Sequence, residues 1–196
     1  LQKIYRYMDK LNNTQKDRVQ EISVRHTQTL FGGNIGILFY DVTTLYFETT
    51  DKDELRNNGF SKDGKNANPQ VVLGLLVSCG GYPLSYALFN GAQFEGYTMI
   101  PIVDDFIQRY NLGSDFVVIA DSGLMSEKNV QLLRSAGYKY IIGARIKKES
   151  GAMKDLILST PHVPGVFNDI PYGNGDRLSV GYSEDRARKN EHDRNE

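Results

Sequence analysis

The stretch Gly36-Ile-Leu-Phe-Tyr-Asp41-Val-Thr-Thr44 decides how this chain folds, and Phe116-Val-Val-Ile-Ala-Asp121-Ser-Gly123 repeats its pattern. In each stretch, apolar and β-branched residues typical of a buried strand lead to an aspartate. An unpaired carboxylate in such a setting is costly. Two of them suggest a shared counter-charge, for which a divalent metal with oxygen ligands is the natural candidate. The alternative is that each aspartate caps the turn or helix that follows it.

The composition is that of a soluble globular protein, with 196 residues, 40% of them hydrophobic and 24% charged. One domain with a substantial core is expected from this length. The net charge of −1 gives no overall indication of nucleic-acid binding, although a local basic patch can provide it. Cys79 follows an apolar run, which predicts a small buried side chain. With no second cysteine and no long apolar segment, we expect a cytoplasmic protein without membrane association.

Hydrophobic periodicity predicts helices first and then an antiparallel meander. Residues 1–34 have apolar positions at helical spacing, and Asn12-Asn13-Thr14 is expected to break the first helix and cap a second one. Gly80-Gly81 is a hairpin signal between two alternating segments. The first three strands are predicted at residues 36–47, 70–79 and 83–90, with a polar loop at 48–69.

The spacing of the apolar residues becomes helical after Gly96, and the rest of the core alternates helices with strands. A helix is expected at 99–110, with Thr98 as its N-cap and Gly113 as its stop. A strand–helix–strand unit requires parallel pairing and a right-handed crossover. Its segments are predicted at residues 116–120, 126–136 and 138–146. The whole pattern predicts an α/β fold, a ribonuclease-H-like mixed sheet of three antiparallel strands and then helix-linked parallel strands, with helices on both faces.

Three regions are predicted along the chain. Residues 1–34 form an N-terminal helical segment, 35–150 form the ribonuclease-H-like core, and 151–196 begin an inserted β-rich and charged segment. Within the last region we expect a short helix at 152–158 and a hairpin around Gly173–Asp176. The charged end of the chain is either a solvated helix or a disordered tail.

Several tracts resemble the catalytic domain of bacterial insertion-sequence transposases of the DDE type. They are Tyr40-Asp-Val-Thr-Thr-Leu-Tyr-Phe-Glu48, Gly59-Phe-Ser-Lys-Asp-Gly-Lys65, Pro69-Gln-Val-Val-Leu-Gly-Leu-Leu76, Val118-Ile-Ala-Asp-Ser-Gly123 and Tyr138-Lys-Tyr-Ile-Ile-Gly-Ala-Arg145. The resemblance implies metal-dependent cutting and joining of DNA by two aspartates and a glutamate. Asp41 matches the first acid and Asp121 the second. It also implies Mg²⁺ or Mn²⁺ as cofactor, double-stranded DNA (the element's terminal repeats and its target) as partner, a homodimer, and a place at the bacterial nucleoid.

The third acid of such a triad should lie on a helix with the signature Tyr-x2-Arg-x3-Glu-x6-Lys. Tyr182, Arg186 and Glu191 supply the residue types, but the gaps are three and four residues and no lysine follows. We interpret this match as a coincidence in a charged segment. The expectation is that the third acid lies beyond residue 196, which would leave this chain inactive by itself.

Basic residues near the acids are candidates for phosphate contacts. Lys62 and Lys65 lie in the loop after the first strand, and Arg145 and Lys147 follow the last one. Acidic neighbours offset the loop lysines, so a solvated loop is the alternative.

Two other functions remain open from the sequence. One is a non-catalytic transposase remnant that binds DNA or its parent protein, and the other is a phosphatase-like hydrolase with Asp41 as an aspartyl-phosphate nucleophile. If Asp41 and Asp121 hold a metal, their carboxylates should lie on adjacent strands, roughly 4–7 Å apart.

Overall fold

The computed structural model describes residues 1–60, 64, 67–113 and 115–195. The chain forms two compact units, Leu1–Gly143 and Ala144–Glu196. The first contains strands β1 Ile37–Tyr46, β2 Gln70–Ser78, β3 Pro83–Asn90, β4 Val117–Ala120 and β5 Lys139–Ile142, and helices α1 Gln2–Lys10, α2 Lys16–Leu30, α3 Met99–Tyr110 and α4 Glu127–Ser135. The second contains α5 Gly151–Leu158, β6 Phe167–Tyr172, β7 Asp176–Gly181 and α6 Glu184–Asn195.

The five strands of the first unit form one mixed sheet in the order β3-β2-β1-β4-β5. The pairs β1–β2 and β2–β3 are antiparallel, whereas β1–β4 and β4–β5 are parallel. Gly81, with a φ of 80°, makes the tight turn between β2 and β3. The connections to β4 and β5 each contain a helix, as parallel pairing requires. This arrangement confirms the predicted α/β mixed sheet of the ribonuclease-H-like type.

One face of the sheet carries the core. Leu38 and Tyr40 of β1 lie there beside Val118 of β4, and all three are at most 2% exposed. Helices α2, α3 and α4 contribute Val24, Phe106 and Leu133 to the same buried cluster. These side chains fill the space between the sheet and its helices.

The other face of the sheet is open. Phe39 and Leu45 of β1 are 40% and 46% exposed, and Ile141 of β5 is 61% exposed. We predicted helices on both faces, but the described helices that pack against the sheet in this unit lie on one. The reason is topological: the crossovers from β3 to β4 and from β4 to β5 move across the sheet in the same direction. Right-handed connections therefore place α3 and α4 on the same side.

Predictions about where the helices break and end were partly wrong. Asn12–Thr14 does not break the N-terminal helix, because the backbone continues through a π-helical turn at Leu11–Gln15. The Thr14 hydroxyl donates to the carbonyl of Lys10 at 2.8 Å in this turn. Helix α3 ends at Asn111 in the left-handed conformation, with a φ of 48°, before Gly113 is reached. Asparagine tolerates this conformation because its short polar side chain can bond locally.

Two predictions about single side chains were also wrong. Thr98 occupies the N-cap position of α3, but its side chain forms no cap hydrogen bond. Cys79 is exposed because β2 ends at Ser78 and the cysteine already belongs to the turn.

The predicted strand at 138–146 is shorter than expected and ends at Ile142.

The second unit has a small core of its own. Ile157 of α5 packs with Ile170 of β6 and Leu178 of β7. The hairpin between β6 and β7 turns through Gly173–Gly175 with positive φ at all three residues. Helix α6 buries none of its described side chains. Across the ranges that the structure describes, no helix is both long and apolar enough to cross a membrane.

Candidate metal centre

Parallel pairing of β1 with β4 brings the two aspartates together. Tyr40 of β1 is the partner of Ala120 of β4. Asp41 and Asp121 are therefore the residues that directly follow this pair on the two neighbouring strands. Adjacent strands lie about 4.8 Å apart. The backbone of Asp121 is extended, with φ −76° and ψ 174°, so the strand's alternation continues through it. Both aspartates therefore belong to the open face, with Phe39.

Asp41 lies inside β1, between two hydrogen-bonded strands. It pairs with Leu75 of β2, and its Oδ1 accepts a hydrogen bond from the Val42 amide at 2.8 Å. The side chain is exposed, as is that of Asp121. The burial cost that first suggested a shared counter-charge is therefore not present, because the face that carries these carboxylates is open. Their adjacency in the sheet, rather than their burial, makes them a candidate site.

Asp121 caps the turn that follows β4, as the alternative interpretation of the sequence anticipated. Its Oδ1 accepts hydrogen bonds from the amides of Gly123 at 2.8 Å and Leu124 at 3.3 Å. Among the described residues, Oδ2 of Asp121 accepts no hydrogen bond and neither aspartate forms an ion pair. One oxygen of Asp121 thus fixes the turn.

Neighbouring segments hold this turn from two sides. Asn129, only 1% exposed, donates from Nδ2 to the carbonyl of Leu124 at 2.9 Å. On the β5 side, the amide of Gly143 donates to the carbonyl of Ala120 at 3.1 Å. A Cβ at Gly143 would lie 2.8 Å from the backbone nitrogen of Ser122, so only glycine fits there. Sequence reasoning missed this role, since nothing local marks Gly143 as a close approach.

A third acid does not join the pair within the described residues. No group of three or more His, Cys, Asp or Glu side chains there is placed to hold a metal ion. Arg186 and Glu191 are exposed on α6 in the second unit. The ring of Tyr182 stacks on that of His162, with the ring centroids 5.1 Å apart.

Of the four basic residues predicted to contact phosphates, the structure describes two. Lys62 and Lys65 lie outside the described residues. Arg145 and Lys147 belong to the second unit, where Lys147 is exposed in a short helical turn and Arg145 is half-buried. In the loop after β1, the partly buried Arg56 pairs with Asp53 at 2.7 Å.

No protein-family model and no curated protein matches this sequence. Three solved transposase structures align with the chain at low similarity. They are the Mos1 transposase paired-end complex with left transposon end (TM-score 0.37, 10% identity, 62% of this chain and 40% of that chain), the Mos1 mariner paired end complex with Mn (0.35, 12%, 62% and 40%), and the piggyBac transposase synaptic complex with hairpin DNA (0.40, 13%, 70% and 29%). The chain spans less than half the length of these proteins, and the fold assignment comes from the strand order and directions described above.

Proposed function

We propose that this chain carries the catalytic core of a DDE-type DNA transposase, which cleaves phosphodiester bonds and transfers strands at insertion-sequence ends. The observation that carries the proposal is the register of β1 with β4, which makes Asp41 and Asp121 neighbours on one open face. The sequence motifs around both residues support the same assignment. Asp41 and Asp121 are the proposed catalytic acids.

The two carboxylates suit Mg²⁺, or Mn²⁺ in its place. Magnesium takes oxygen ligands, and it commonly binds one or two carboxylates while waters and substrate phosphates complete its shell. The exposed oxygens of Asp41 and Asp121 meet that requirement. When bound, such ions polarise the phosphodiester and favour the ionised form of an attacking water or 3′-hydroxyl.

The chain's own residues hold this site rigid and accessible. Asp41 is fixed by the pairing of β1 with β2, and Asp121 is fixed by the turn that it caps. The open face leaves room for a DNA backbone to approach both carboxylates. Duplex DNA is the proposed partner, with phosphate contacts from Lys62, Lys65, Arg145 and Lys147, and a homodimer is the proposed assembly.

A second candidate function is DNA binding without cleavage. The lack of a third acid beside Asp41 and Asp121 within the described residues favours it for residues 1–196. An aspartyl-phosphate hydrolase is not favoured, because β1 pairs antiparallel with β2 and the sheet is not doubly wound.

The proposal is tested first by calorimetric titration of residues 1–196 with Mn²⁺. We expect weak binding that Asp41→Asn and Asp121→Asn each weaken further, because each removes a charged ligand. Asp115→Asn is the matched control, since Asp115 lies at the opposite end of β4 and pairs with Lys139 at the surface. Binding that only the control variant weakens would place the metal elsewhere and contradict the proposal.

Cleavage is tested with supercoiled plasmid and Mn²⁺. With only two acids at the site, we expect residues 1–196 to leave the plasmid intact. Nicking that Asp41→Asn leaves unchanged would contradict the assignment of Asp41. Nicking that is lost with both Asp41→Asn and Glu191→Ala would instead identify Glu191 as the third acid, and our interpretation of that helix would be wrong.

A further inference from the structure

Tyr40, next to Asp41, takes part in a buried hydrogen-bond chain that the proposed function does not yet use. Tyr40 is 2% exposed, and its hydroxyl lies 2.7 Å from Oγ1 of Thr98, which is fully buried. The Thr98 hydroxyl donates to the carbonyl of Glu95 at 2.6 Å. Because Thr98 has one hydroxyl proton, it must accept from Tyr40, and the direction of the chain is fixed.

The neighbouring strand makes room for this contact. Gly74 of β2 pairs with Val42, two residues from Tyr40 on the same face. A Cβ at Gly74 would lie 2.4 Å from the Tyr40 hydroxyl oxygen. A glycine at this position therefore allows the phenol ring to reach across β2 to Thr98, and any larger residue would displace it.

The same chain leads to the second aspartate. The turn Glu95–Tyr97 packs against the turn Ser122–Leu124, which is the turn that Asp121 caps. Tyr40 is also the strand partner of Ala120, the residue before Asp121. The hydrogen bond from Tyr40 to Thr98 thus links β1, which carries Asp41, to the segment that packs against the turn capped by Asp121.

We propose that Tyr40 is a positioning residue, whose hydrogen bond to Thr98 fixes the separation between the carboxylates of Asp41 and Asp121. This inference rests on the proposed function of the same site. Groups behind metal ligands act in this way by orienting the ligands, and their loss reduces metal affinity without removing a ligand.

The state of the phenol agrees with this role. Burial, the largest cause, raises the pKa of Tyr40 to about 12; the hydrogen bond with Thr98 lowers it, and the charges of Asp41 and Glu95 raise it. The hydroxyl therefore keeps its proton, and donates to Thr98, at any pH at which a metal titration is practical.

The test measures Mn²⁺ affinity and the free energy of unfolding together, on residues 1–196. Tyr40→Phe removes only the hydroxyl, Thr98→Val removes the acceptor at nearly constant shape, and Thr98→Ser keeps it. We expect Tyr40→Phe and Thr98→Val to weaken Mn²⁺ binding on the order of 10-fold. Thr98→Ser should restore most of the affinity. If Tyr40→Phe does not fold, the comparison of Thr98→Val with Thr98→Ser decides the question.

The matched control is Tyr138→Phe, which removes another partly buried tyrosine hydroxyl, bonded to Asp104 at 2.8 Å. It should lower stability without changing Mn²⁺ affinity. Wild-type affinity in Tyr40→Phe, or equal weakening by Tyr138→Phe, would overturn the positioning role. In either case, weakening by Asp41→Asn would leave the proposed function intact, whereas no effect of Asp41→Asn would remove its basis.

Discussion

Asp121 combines two roles that a pair of substitutions can separate. Asn is as good a cap as Asp, so Asp121→Asn should retain the turn and the stability while losing the negative charge that a metal needs. Asp121→Ala should lose both, at a cost of about 1 kcal/mol in the free energy of unfolding. Urea unfolding and Mn²⁺ titration of both variants check this. Equal destabilisation by Asp121→Asn and Asp121→Ala would show that the hydrogen bonds from the Gly123 and Leu124 amides to Asp121 contribute nothing to the free energy of unfolding.

Single residues show what the sequence could and could not reveal about the site. The strands that lead to Asp41 and Asp121 could be predicted, because an apolar, β-branched run is a local signal. The bond between Tyr40 and Thr98 could not, since it joins residues 58 positions apart. The exposure of both aspartates was missed for a similar reason: which face of a sheet is covered depends on distant helices.

The turn between β4 and α4 depends on the strand beside it. Gly143→Ala would place a Cβ 2.8 Å from the backbone nitrogen of Ser122, where no flexible side chain can yield. We expect a loss of about 1–3 kcal/mol in the free energy of unfolding and weaker Mn²⁺ binding through Asp121.

The control for this substitution is Gly113→Ala, where an added Cβ would meet nothing within 4 Å. A surface change of this kind should alter stability by less than about 0.5 kcal/mol. If Gly143→Ala behaves like the control, the close approach at Ser122 does not constrain the turn.

Secondary-structure elements were predicted best where the hydrophobic periodicity agrees with the residues that begin or end an element. Helix α4 begins after Ser126, which accepts a hydrogen bond from the Asn129 amide, and ends before Gly137 with its φ of 73°. Both boundaries were visible in the sequence. Thr98 failed as a cap because its hydroxyl donates to the carbonyl of Glu95, three residues before it, and accepts from Tyr40, 58 residues away in the sequence. The strand order followed from the connections, but the side on which the helices pack also required the direction of each crossover.

The whole molecule divides into a large unit and a small one of unequal core size. The buried cluster of Leu1–Gly143 includes Leu38, Val118 and Phe106, whereas the cluster described for Ala144–Glu196 contains three buried side chains, which are 5% to 8% exposed. Stability rises with the apolar surface that a unit buries. Amide hydrogen exchange should therefore be faster in β6 and β7 than in β1 and β4. Equal protection in both hairpin and sheet would show that the two units unfold as one.

The central claim is that Asp41 and Asp121 together form a metal site on the open face of the sheet. Paramagnetic broadening by Mn²⁺ in a proton–nitrogen correlation spectrum of the ¹⁵N-labelled chain tests it most directly, because broadening falls off steeply with distance from the ion. We predict that substoichiometric Mn²⁺ first broadens the amides of Asp41, Val42 and Ser122–Leu124, and that Asp41→Asn abolishes this selectivity. Broadening that begins instead in the acidic residues of helix α6, and is unchanged by Asp41→Asn, would contradict the account.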